Sequence, residues 1–558
     1  MSNYGNVFSL IDTALAVDLV LYYFVYRIFK WLLSPYFFPR FPNIPGPQPQ
    51  SWFKGNLGQL FNAKGLRFHQ RLVDRFGGMV KIYGFFGDEQ LYVSDPSALQ
   101  SIVVKDQDAF EETAVFIDTN RIIFGPGLVS TTGDVHKKQR KIVAPVFSVP
   151  QLKKITPVVY DIAEKLADVL TREVHASRAT TGSGVLDMSE WVSRVALETI
   201  GRTVLGYSFD PLDSPHNNPY TSAIKELIPT LFSLSVLRQF APFLSRLGTP
   251  WFRRKLVEWT PNRSIQKVKD MSDIMDRTAR NILREKQVMM NDANTVYSQG
   301  EDKDIISVLL RANERAAVGE KLSELELTGQ MTVLIFGAQD TTSSALSRIL
   351  YLLATNPDIQ TKVREEITTA FAGAKSLEYE AVSELPWLDA VIKETLRLYP
   401  PVPFVRRTAK NERTLMYSTT NSGVADASVV VPAGTTLFVG IAGANRLESV
   451  WGPDAKVWKP ERWISGENPA SIRLPGIYSG MLSFFGGGRS CIGYKFALIE
   501  MKIILATLVR RLKFSSTRDE IIWNLSQIIS PSVRRPSPVN DGSYIEEKGL
   551  PMTVEVIS

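Results

Sequence analysis

The chain has 558 residues, of which 44% are hydrophobic and 22% are charged, and its formal net charge is +7. These proportions are ordinary for a globular protein, and the basic residues form no stripe interleaved with aromatics, so we predict no nucleic-acid partner. The single cysteine excludes an intramolecular disulfide framework. The four histidines lack the H-E-x-x-H spacing and form no cluster with cysteine, which argues against a zinc site.

Residues 7–26, VFSLIDTALAVDLVLYYFVY, form an apolar stretch of the length that crosses a bilayer as a helix. Asp12 and Asp18 oppose insertion, since an acidic residue in mid-span costs roughly 2.5–3.5 kcal/mol. Basic residues follow this stretch and none precedes it, which would place the rest of the chain in the cytosol. We predict a membrane anchor at residues 1–34; a helix lying in the interface and a buried core helix are the alternatives.

A proline-rich segment follows the predicted anchor. FPRFPNIPGPQP contains five prolines, which disfavour a helix and favour a stiff extended linker. We therefore predict a hinge at residues 35–50. Residues 51–558 show no second linker and no internal repeat, which predicts a single domain.

The body of the chain alternates between strand-like and helical patterns. Residues 77–96 predict a hairpin, and residues 429–445, VVVPAGTTLFVGIAGAN, predict a second short one. Residues 156–174 and 322–357 carry apolar residues at helical spacing. Further expectations are a polar loop at 291–303 and a strand at 550–558. The sum is a mainly α fold with small peripheral β-sheets.

Residues 231–252, LFSLSVLRQFAPFLSRLGTPWF, are unusually apolar for a segment that prolines interrupt. Two interpretations stay open. The segment is either ordinary core or an apolar lid that dips into a membrane.

The only cysteine lies in the glycine-rich string FFGGGRSCIG, residues 484–493. Consecutive glycines permit positive φ or a close approach of the backbone, and an arginine presents a planar fork to a carboxylate. The helical pattern that follows favours a thiolate at its N-terminus. The spacing fits neither a phosphate-binding loop, nor a dinucleotide fingerprint, nor a nucleophile elbow. A catalytic cysteine nucleophile remains an alternative.

Phe484, Gly487, Arg489, Cys491 and Gly493 match the pattern F-x-x-G-x-R-x-C-x-G. In this string the sequence resembles the cytochrome P450 haem-thiolate monooxygenases. The resemblance implies the cytochrome P450 fold, with residues 51–558 as a haem-binding catalytic domain. It also implies haem b (Fe-protoporphyrin IX) as cofactor, the five matched residues around it, and the neighbouring glycines as room for the porphyrin. Cys491 would supply the axial thiolate to the iron, which favours O–O cleavage.

Two other stretches extend the resemblance. KETLRLYPP contains Glu394 and Arg397, three positions apart on one helix face, where the two side chains can pair. VWKPERW contains Arg462, which resembles the third member of the family's Glu-Arg-Arg structural network. A solvated surface pair is the alternative for any isolated E-x-x-R.

GAQDTT, within residues 322–357, places an acid beside a hydroxyl in a helix. By resemblance, Asp340 and Thr341 are the acid–alcohol pair that delivers protons during oxygen activation. The small residues Gly337 and Ala338 would let a macrocycle and O₂ lie close to the helix. A solvent-facing kink is the alternative.

Basic residues elsewhere resemble the family's ligands for the haem propionates. His136 and Arg140 lie at i and i+4 in GDVHKKQRKIVAPVFS, although many family members have tryptophan where His136 stands. Arg407 is the third candidate and the adjacent Arg406 is its runner-up. Two buried propionates need cationic partners; exposed surface bases are the alternative.

The resemblance implies a monooxygenase that hydroxylates or epoxidises a lipophilic small molecule such as a terpenoid, a steroid or a fatty acid. The chain has no flavin or nicotinamide motif, so we expect electrons from NADPH–cytochrome P450 reductase at the endoplasmic reticulum membrane. A basic dock for the reductase is expected at Lys137, Lys138, Lys141, Lys495, Arg510 and Arg511; an ordinary solvated basic face is the alternative. Two alternatives remain: a reductase-independent peroxygenase or isomerase, and a non-enzymatic haem-binding protein.

The substrate pocket is expected to draw on three segments. These are the apolar residues 231–252, the string VFIDTNRIIFG at 115–125, and residues 528–533. Their apolar character predicts a lipophilic ligand.

Overall fold

A computed structural model describes residues 15, 17–27, 39–213, 219–293, 304–317, 319–419, 425–464, 470, 472–537 and 543–557. The predicted class, mainly α with small sheets, is confirmed. The helices of the body are Leu57–Leu60, Leu66–Phe76, Pro96–Gln100, Ala114–Phe124, Gly133–Val143, Val149–Thr181, Met188–Ile200, Pro219–Ser233, Ala241–Leu244, Pro250–Trp259, Arg263–Ala293, Ile305–Arg315, Glu324–Thr355, Pro357–Phe371, Tyr379–Ser383, Pro386–Leu398, Ile441–Ala444, Glu448–Trp451 and Tyr494–Arg511.

In the described ranges the strands form four small sheets. The strands are β1 (Met79–Tyr83), β2 (Glu89–Val93), β3 (Phe110–Glu112), β4 (Val185–Asp187), β5 (Val405–Ala409), β6 (Arg413–Tyr417), β7 (Ala427–Val431), β8 (Thr436–Val439), β9 (Leu512–Ser516), β10 (Glu520–Ser526), β11 (Ile528–Pro536), β12 (Tyr544–Lys548) and β13 (Pro551–Val556). The largest sheet has the order β1-β2-β8-β5-β3, and the others are β10-β11-β12, β4-β13-β9 and β6-β7.

One predicted hairpin is confirmed and the other is wrong. Strands β1 and β2 pair antiparallel, with Met79 opposite Val93. Within 429–445, however, β7 pairs with β6 and β8 joins the largest sheet between β2 and β5. The reason is burial: β8 is covered on both faces and therefore takes a central place in a sheet, whereas alternate residues of β7 are exposed.

Glu324–Thr355, called the central helix below, runs through the molecule and starts at a capping box. The Ser323 hydroxyl accepts from the backbone N–H of Glu326, whose carboxylate accepts from the N–H of Ser323. The helix ends before Asn356-Pro357, as the sequence predicts.

Tyr494–Arg511, called the thiol helix below, begins just after the cysteine. Its residues from Ile499 to Val509 are all buried, and it packs against Val149–Thr181. Apolar residues lie on every side of this stretch, with Glu500 and Lys502 buried among them, so it needs an enclosed position. The helix therefore fixes the position of Cys491 just ahead of its first turn.

The N-terminal prediction is only partly covered by the structure. Residues 17–27 are helical, whereas 1–14, 16 and 28–34 of the predicted anchor lie outside the described residues. Within the described part of the chain, no single helix is long and apolar enough to cross a membrane; one pair, Glu226–Ser233 with Leu237–Leu244, passes by length and composition with a bend of 77°. The anchor stays a prediction.

The described part of the predicted hinge packs as part of the body. Phe41 and Ile44 are buried in the main core, and the backbone N–H of Lys81 in β1 donates to the carbonyl of Pro45. The boundaries at 34 and 50 stay predictions. Of the predicted polar loop 291–303, residues 291–293 end a helix and the remainder lies outside the described residues.

Much of the apolar segment 231–252 is exposed, although Leu231 and Ala241 are buried. Phe243 and Trp251 are 65% and 68% exposed, and Phe240 is exposed as well. The interpretation as ordinary core is therefore wrong for these residues, and the membrane-dipping lid stays a prediction.

Candidate active site

The cysteine loop folds back on itself before the thiol helix starts. A short 3-10 turn covers Gly487–Arg489, and Phe485 and Gly487 both have φ near +60°. The backbone N–H of Cys491 donates to the carbonyl of Phe484 over 2.9 Å. This hydrogen bond closes the loop and fixes the cysteine ahead of the helix.

Two glycines of the loop, Gly486 and Gly487, lie directly against protein backbone. A Cβ on Gly486 would lie 1.7 Å from the carbonyl oxygen of Pro475, and a Cβ on Gly487 would lie 2.0 Å from that of Val103. These two glycines therefore allow the loop to pack closely against neighbouring backbone, and their place beside the porphyrin stays a prediction. Gly337 of the central helix differs, because a Cβ there would meet nothing within 4 Å.

Cys491 is accessible although protein surrounds it. Burial raises the pKa of its thiol, whereas the backbone N–H of Gly493 and the positive charge of Arg140 act to lower it. The Arg140 guanidinium donates to the carbonyl of Ser490 over 2.8 Å and to its hydroxyl over 2.9 Å. Arg140 is thus held beside the thiol, where it favours the anionic form that a metal ligand needs.

The predicted propionate ligands converge on one cavity of about 320 Å³, called the guanidinium cavity below. His136, Arg140, Arg407 and Arg489 all line it. Burial, together with the charges of Arg489 and Arg140, lowers the pKa of His136 to about 4. Without a bound anion, His136 is therefore uncharged at neutral pH.

Two carboxylates in the same region escaped the sequence analysis. Glu111 accepts from Arg489 over 2.6 Å, and Glu112 pairs with Arg407 over 2.8 Å. The pairing of β3 with β5 places Glu112 opposite Arg407. No local signal identifies these acids, because their partners come from distant parts of the chain.

The predicted structural network is present as a set of direct contacts. Glu394 and Arg397 are both fully buried and joined by two hydrogen bonds of 2.8 and 2.9 Å. Arg462 donates to the same carboxylate over 2.9 Å, and the indole N–H of Trp463 donates over 2.9 Å. The sequence analysis missed Trp463, which satisfies another lone pair of the buried carboxylate.

Asn445 connects this network to the chain that leads into the cysteine loop. Its carbonyl accepts from Arg397 over 2.9 Å, while its side chain donates to the Ser483 hydroxyl and accepts from the backbone N–H of Leu482. Phe484 follows directly. The network therefore positions the cysteine loop from one side, as the thiol helix does from the other.

Asp340 and Thr341 face different spaces. Thr341 lines a cavity of about 280 Å³, called the apolar cavity below, and its hydroxyl donates to the carbonyl of Gly337 over 2.7 Å. Asp340 lines a separate polar cleft together with Asp187 and Glu190. The acid–alcohol pair thus stands at the wall between a polar cleft and an apolar cavity.

Another buried acid, Glu500, lies close to Thr342 of the central helix. Glu500 of the thiol helix is fully buried, and neither of its oxygens reaches a hydrogen-bond partner among the described residues. Burial raises the pKa of Glu500 well above its usual range, while the hydroxyls of Thr342 and Thr199 oppose this shift. The signal that could have found it is an acid whose neighbours one helical turn away, Phe496, Ala497, Ile503 and Ile504, are all apolar.

Glu500→Gln is expected to change how stability depends on pH. Because the pKa of Glu500 is higher in the folded than in the unfolded chain, its contribution is fully present below the unfolded value, about 4.3, and is lost as the pH rises toward the folded value. Glutamine carries no titrating group. The variant should therefore gain in melting temperature relative to the parent on going from about pH 5 to about pH 8. Parallel pH profiles in thermal denaturation would show that Glu500 is not held neutral.

The family model for cytochrome P450 matches residues 45–534. The chain belongs to the cytochrome P450 family. It is 42% identical over 498 residues to cytochrome P450 monooxygenase 91 of Postia placenta, covering 88% of this chain and 91% of that protein. It is also 40% identical over 516 residues to cytochrome P450 monooxygenase 212 of the same fungus, covering 90% and 94% of the two chains. Ganoderic acid synthetase CYP5150L8 of Ganoderma lucidum is 35% identical over 522 residues, covering 91% and 94%.

This cytochrome P450 is therefore an oxidoreductase of the monooxygenase type, and its cofactor is protohaem IX. The residues present fit that cofactor: the accessible thiol of Cys491, the open space at Gly337 and the guanidinium cavity are what a thiolate ligand, a flat macrocycle and two propionates require. When bound, the haem supplies the activation of O₂. Cytochrome P450 monooxygenases take their electrons from a redox partner and act on lipophilic substrates.

Proposed function

We propose that this cytochrome P450 hydroxylates or epoxidises a lipophilic small molecule of terpenoid, steroid or fatty-acid type. One atom of O₂ enters the substrate and the other leaves as water, with two electrons from NADPH through cytochrome P450 reductase and two protons from solvent. The observation that carries the proposal is the position of Asp340 and Thr341 between the polar cleft and the apolar cavity.

The apolar cavity supports a lipophilic substrate. Aromatic side chains make up much of its wall: Phe61, Phe116, Phe124, Phe232, Phe336 and Phe404. Each of the three predicted segments contributes, through Phe116 from 115–125, Phe232 from 231–252 and Ile528 from 528–533. A pocket with an apolar wall and few polar groups binds a largely apolar ligand and orients it.

The polar cleft supports proton delivery. Asp340 shares it with the carboxylates of Asp187 and Glu190, so protons from solvent can reach Asp340. Thr341 is adjacent in sequence and lines the apolar cavity, so its hydroxyl can pass a proton toward the substrate side. The two residues together separate proton entry from substrate binding.

The reductase dock is proposed for the lysines around the guanidinium cavity. Lys137 and Lys141 are 63% and 72% exposed, and their ion pairs with Asp108 and Glu320 are equally open to solvent. Exposed pairs of this kind contribute little and can exchange partners. Arg510 and Arg511 are less suited, because both already pair with Glu164.

We also propose that residues 1–34 anchor the enzyme in the endoplasmic reticulum membrane with the catalytic domain in the cytosol. The apolar length of 7–26 and the basic residues that follow it support this orientation. Residues 35–50 are proposed to lead from the anchor into the catalytic domain.

Asp340→Asn is expected to slow product formation roughly 10²- to 10⁴-fold, the range that a positioned general acid supplies. The full-length enzyme is reconstituted with reductase and NADPH, fed a panel of lipophilic acids and esters, and its products are quantified by mass spectrometry. Ser343→Ala, in the wall of the same cleft, is the matched control and should stay within a few-fold of the parent. An Asp340→Asn variant as fast as the parent would remove Asp340 from proton delivery.

A further inference from the structure

The apolar cavity contains two guanidinium groups that proton delivery does not use. Arg238 comes from the short helical turn Leu237–Phe240, and Arg406 comes from β5. The Arg406 side chain donates to the amide oxygen of Gln239 over 3.4 Å, and its guanidinium carbon lies 5.2 Å from the ring centre of Phe61. The Nε of Arg238 is buried and has no hydrogen-bond partner among the described residues.

Neither arginine is paired with a carboxylate in the described part of the chain. The acid that lines the same cavity, Glu112, is already joined to Arg407 over 2.8 Å. Burial lowers the pKa of Arg238 to about 10. Burial and the positive charge of Arg238 lower the pKa of Arg406 to about 10 as well, and the negative charge of Glu112 opposes this shift. Two cations that face one apolar space without an anion are costly to bury.

Arg406 does not belong to the guanidinium cavity, although it adjoins Arg407 in sequence. Successive side chains of a strand point to opposite faces. Arg407 accordingly lines the guanidinium cavity and stacks on Phe485, whereas Arg406 lines the apolar cavity. The strand therefore directs the two neighbouring arginines into two different cavities.

We propose that Arg238 and Arg406 bind a carboxylate of the substrate, and that the substrate of this enzyme is a lipophilic carboxylic acid. An arginine fork matches the two oxygens of a carboxylate, and such charge-assisted bonds are about twice as strong as neutral ones. The aromatic wall would hold the apolar body of the acid, with Thr341 at the reacting end. This inference rests on the proposed function, because it names the substrate class of the same cavity.

The test uses probes that report on binding and need no turnover. The probes are ω-imidazolyl fatty acids of several chain lengths and their methyl esters, whose imidazole binds the haem of the holoenzyme and shifts its absorption spectrum. The acid of the best-fitting length is expected to bind at least about tenfold more tightly than its ester, a difference of about 1.4 kcal/mol. Arg238→Gln and Arg406→Gln should each remove most of that preference. Arg246→Gln is the matched control. Arg246 is exposed and lies eight residues after Arg238, and its variant should keep the preference for the acid.

Equal binding of acid and ester by the unaltered enzyme at every chain length would overturn the proposal, whatever the variants do. If Arg406→Gln loses haem but keeps its preference for the acid, then Arg406 binds a propionate. That result would also overturn the proposal. Failure of the proposed function looks different: the acid preference would persist while reductase and NADPH give no product. The two failures are therefore distinguishable.

Discussion

Replacing Cys491 with serine is expected to abolish oxygenation and to remove the thiolate-type Soret band from the spectrum of the reduced, CO-bound protein. Cys491 is the only cysteine in the chain, so no other thiolate can replace it. A serine hydroxyl does not ionise near neutral pH, and without the anionic sulfur the electron donation that favours O–O cleavage is lost. The measurement is the CO difference spectrum of the purified variant, with haem content determined separately.

Ser490→Ala is the matched control for this substitution. Ser490 precedes the cysteine and its hydroxyl accepts only a hydrogen bond from Arg140, so the variant should keep the thiolate-type band. A Cys491→Ser protein that also keeps this band would show that Cys491 is not the ligand.

Arg397→Ala is expected to lower the free energy of unfolding by about 3–5 kcal/mol, because it leaves the buried carboxylate of Glu394 without its main partner. That loss is a large fraction of the stability of a typical domain. Arg397 also donates to the carbonyls of Asn445 and Ala455 over 2.9 and 2.6 Å, so those carbonyls would lose partners too. Arg397→Lys should not rescue the fold, since one ammonium cannot reproduce these divergent contacts.

The comparison is with Lys393→Ala on the same helix, Pro386–Leu398. Lys393 forms an ion pair with Asp389 that is about one-quarter exposed, and removal of such a pair is expected to cost about 1 kcal/mol or less. Soluble yield and thermal denaturation of the two variants separate the cases. Equal melting temperatures for Arg397→Ala and the parent would contradict a stabilising role for the network.

Features that lie close together along the chain could be predicted from the sequence. The cysteine loop, the pair of Glu394 with Arg397, and the junction of Asp340 with Thr341 each fall within ten residues. These local motifs are enough to carry the family resemblance, and it is the resemblance that implies their chemistry. The first hairpin and the end of the central helix follow from local patterns in the same way.

Features that depend on pairing between distant segments could not be predicted. Glu112 faces Arg407 only because β3 lies beside β5. Arg238 shares a cavity with Arg406 only because the helical turn Leu237–Phe240 lies against β5, where Arg406 donates to Gln239. The incorrect prediction of a hairpin at 429–445 has the same origin, because β8 pairs with β2 and β5 rather than with β7, its neighbour in sequence. Gly486 and Gly487 likewise serve contacts with Pro475 and Val103, which no local pattern reveals.

The most direct test of the account is the origin of the oxygen atom in the product. The full-length enzyme is incubated with reductase, NADPH and isotopically labelled O₂, and lipophilic acids and their esters are supplied as substrates for analysis by mass spectrometry. We expect one labelled oxygen atom in each product molecule, and we expect product to form only when NADPH and the reductase are both present. Product that forms with peroxide alone, or whose oxygen comes from water, would contradict it.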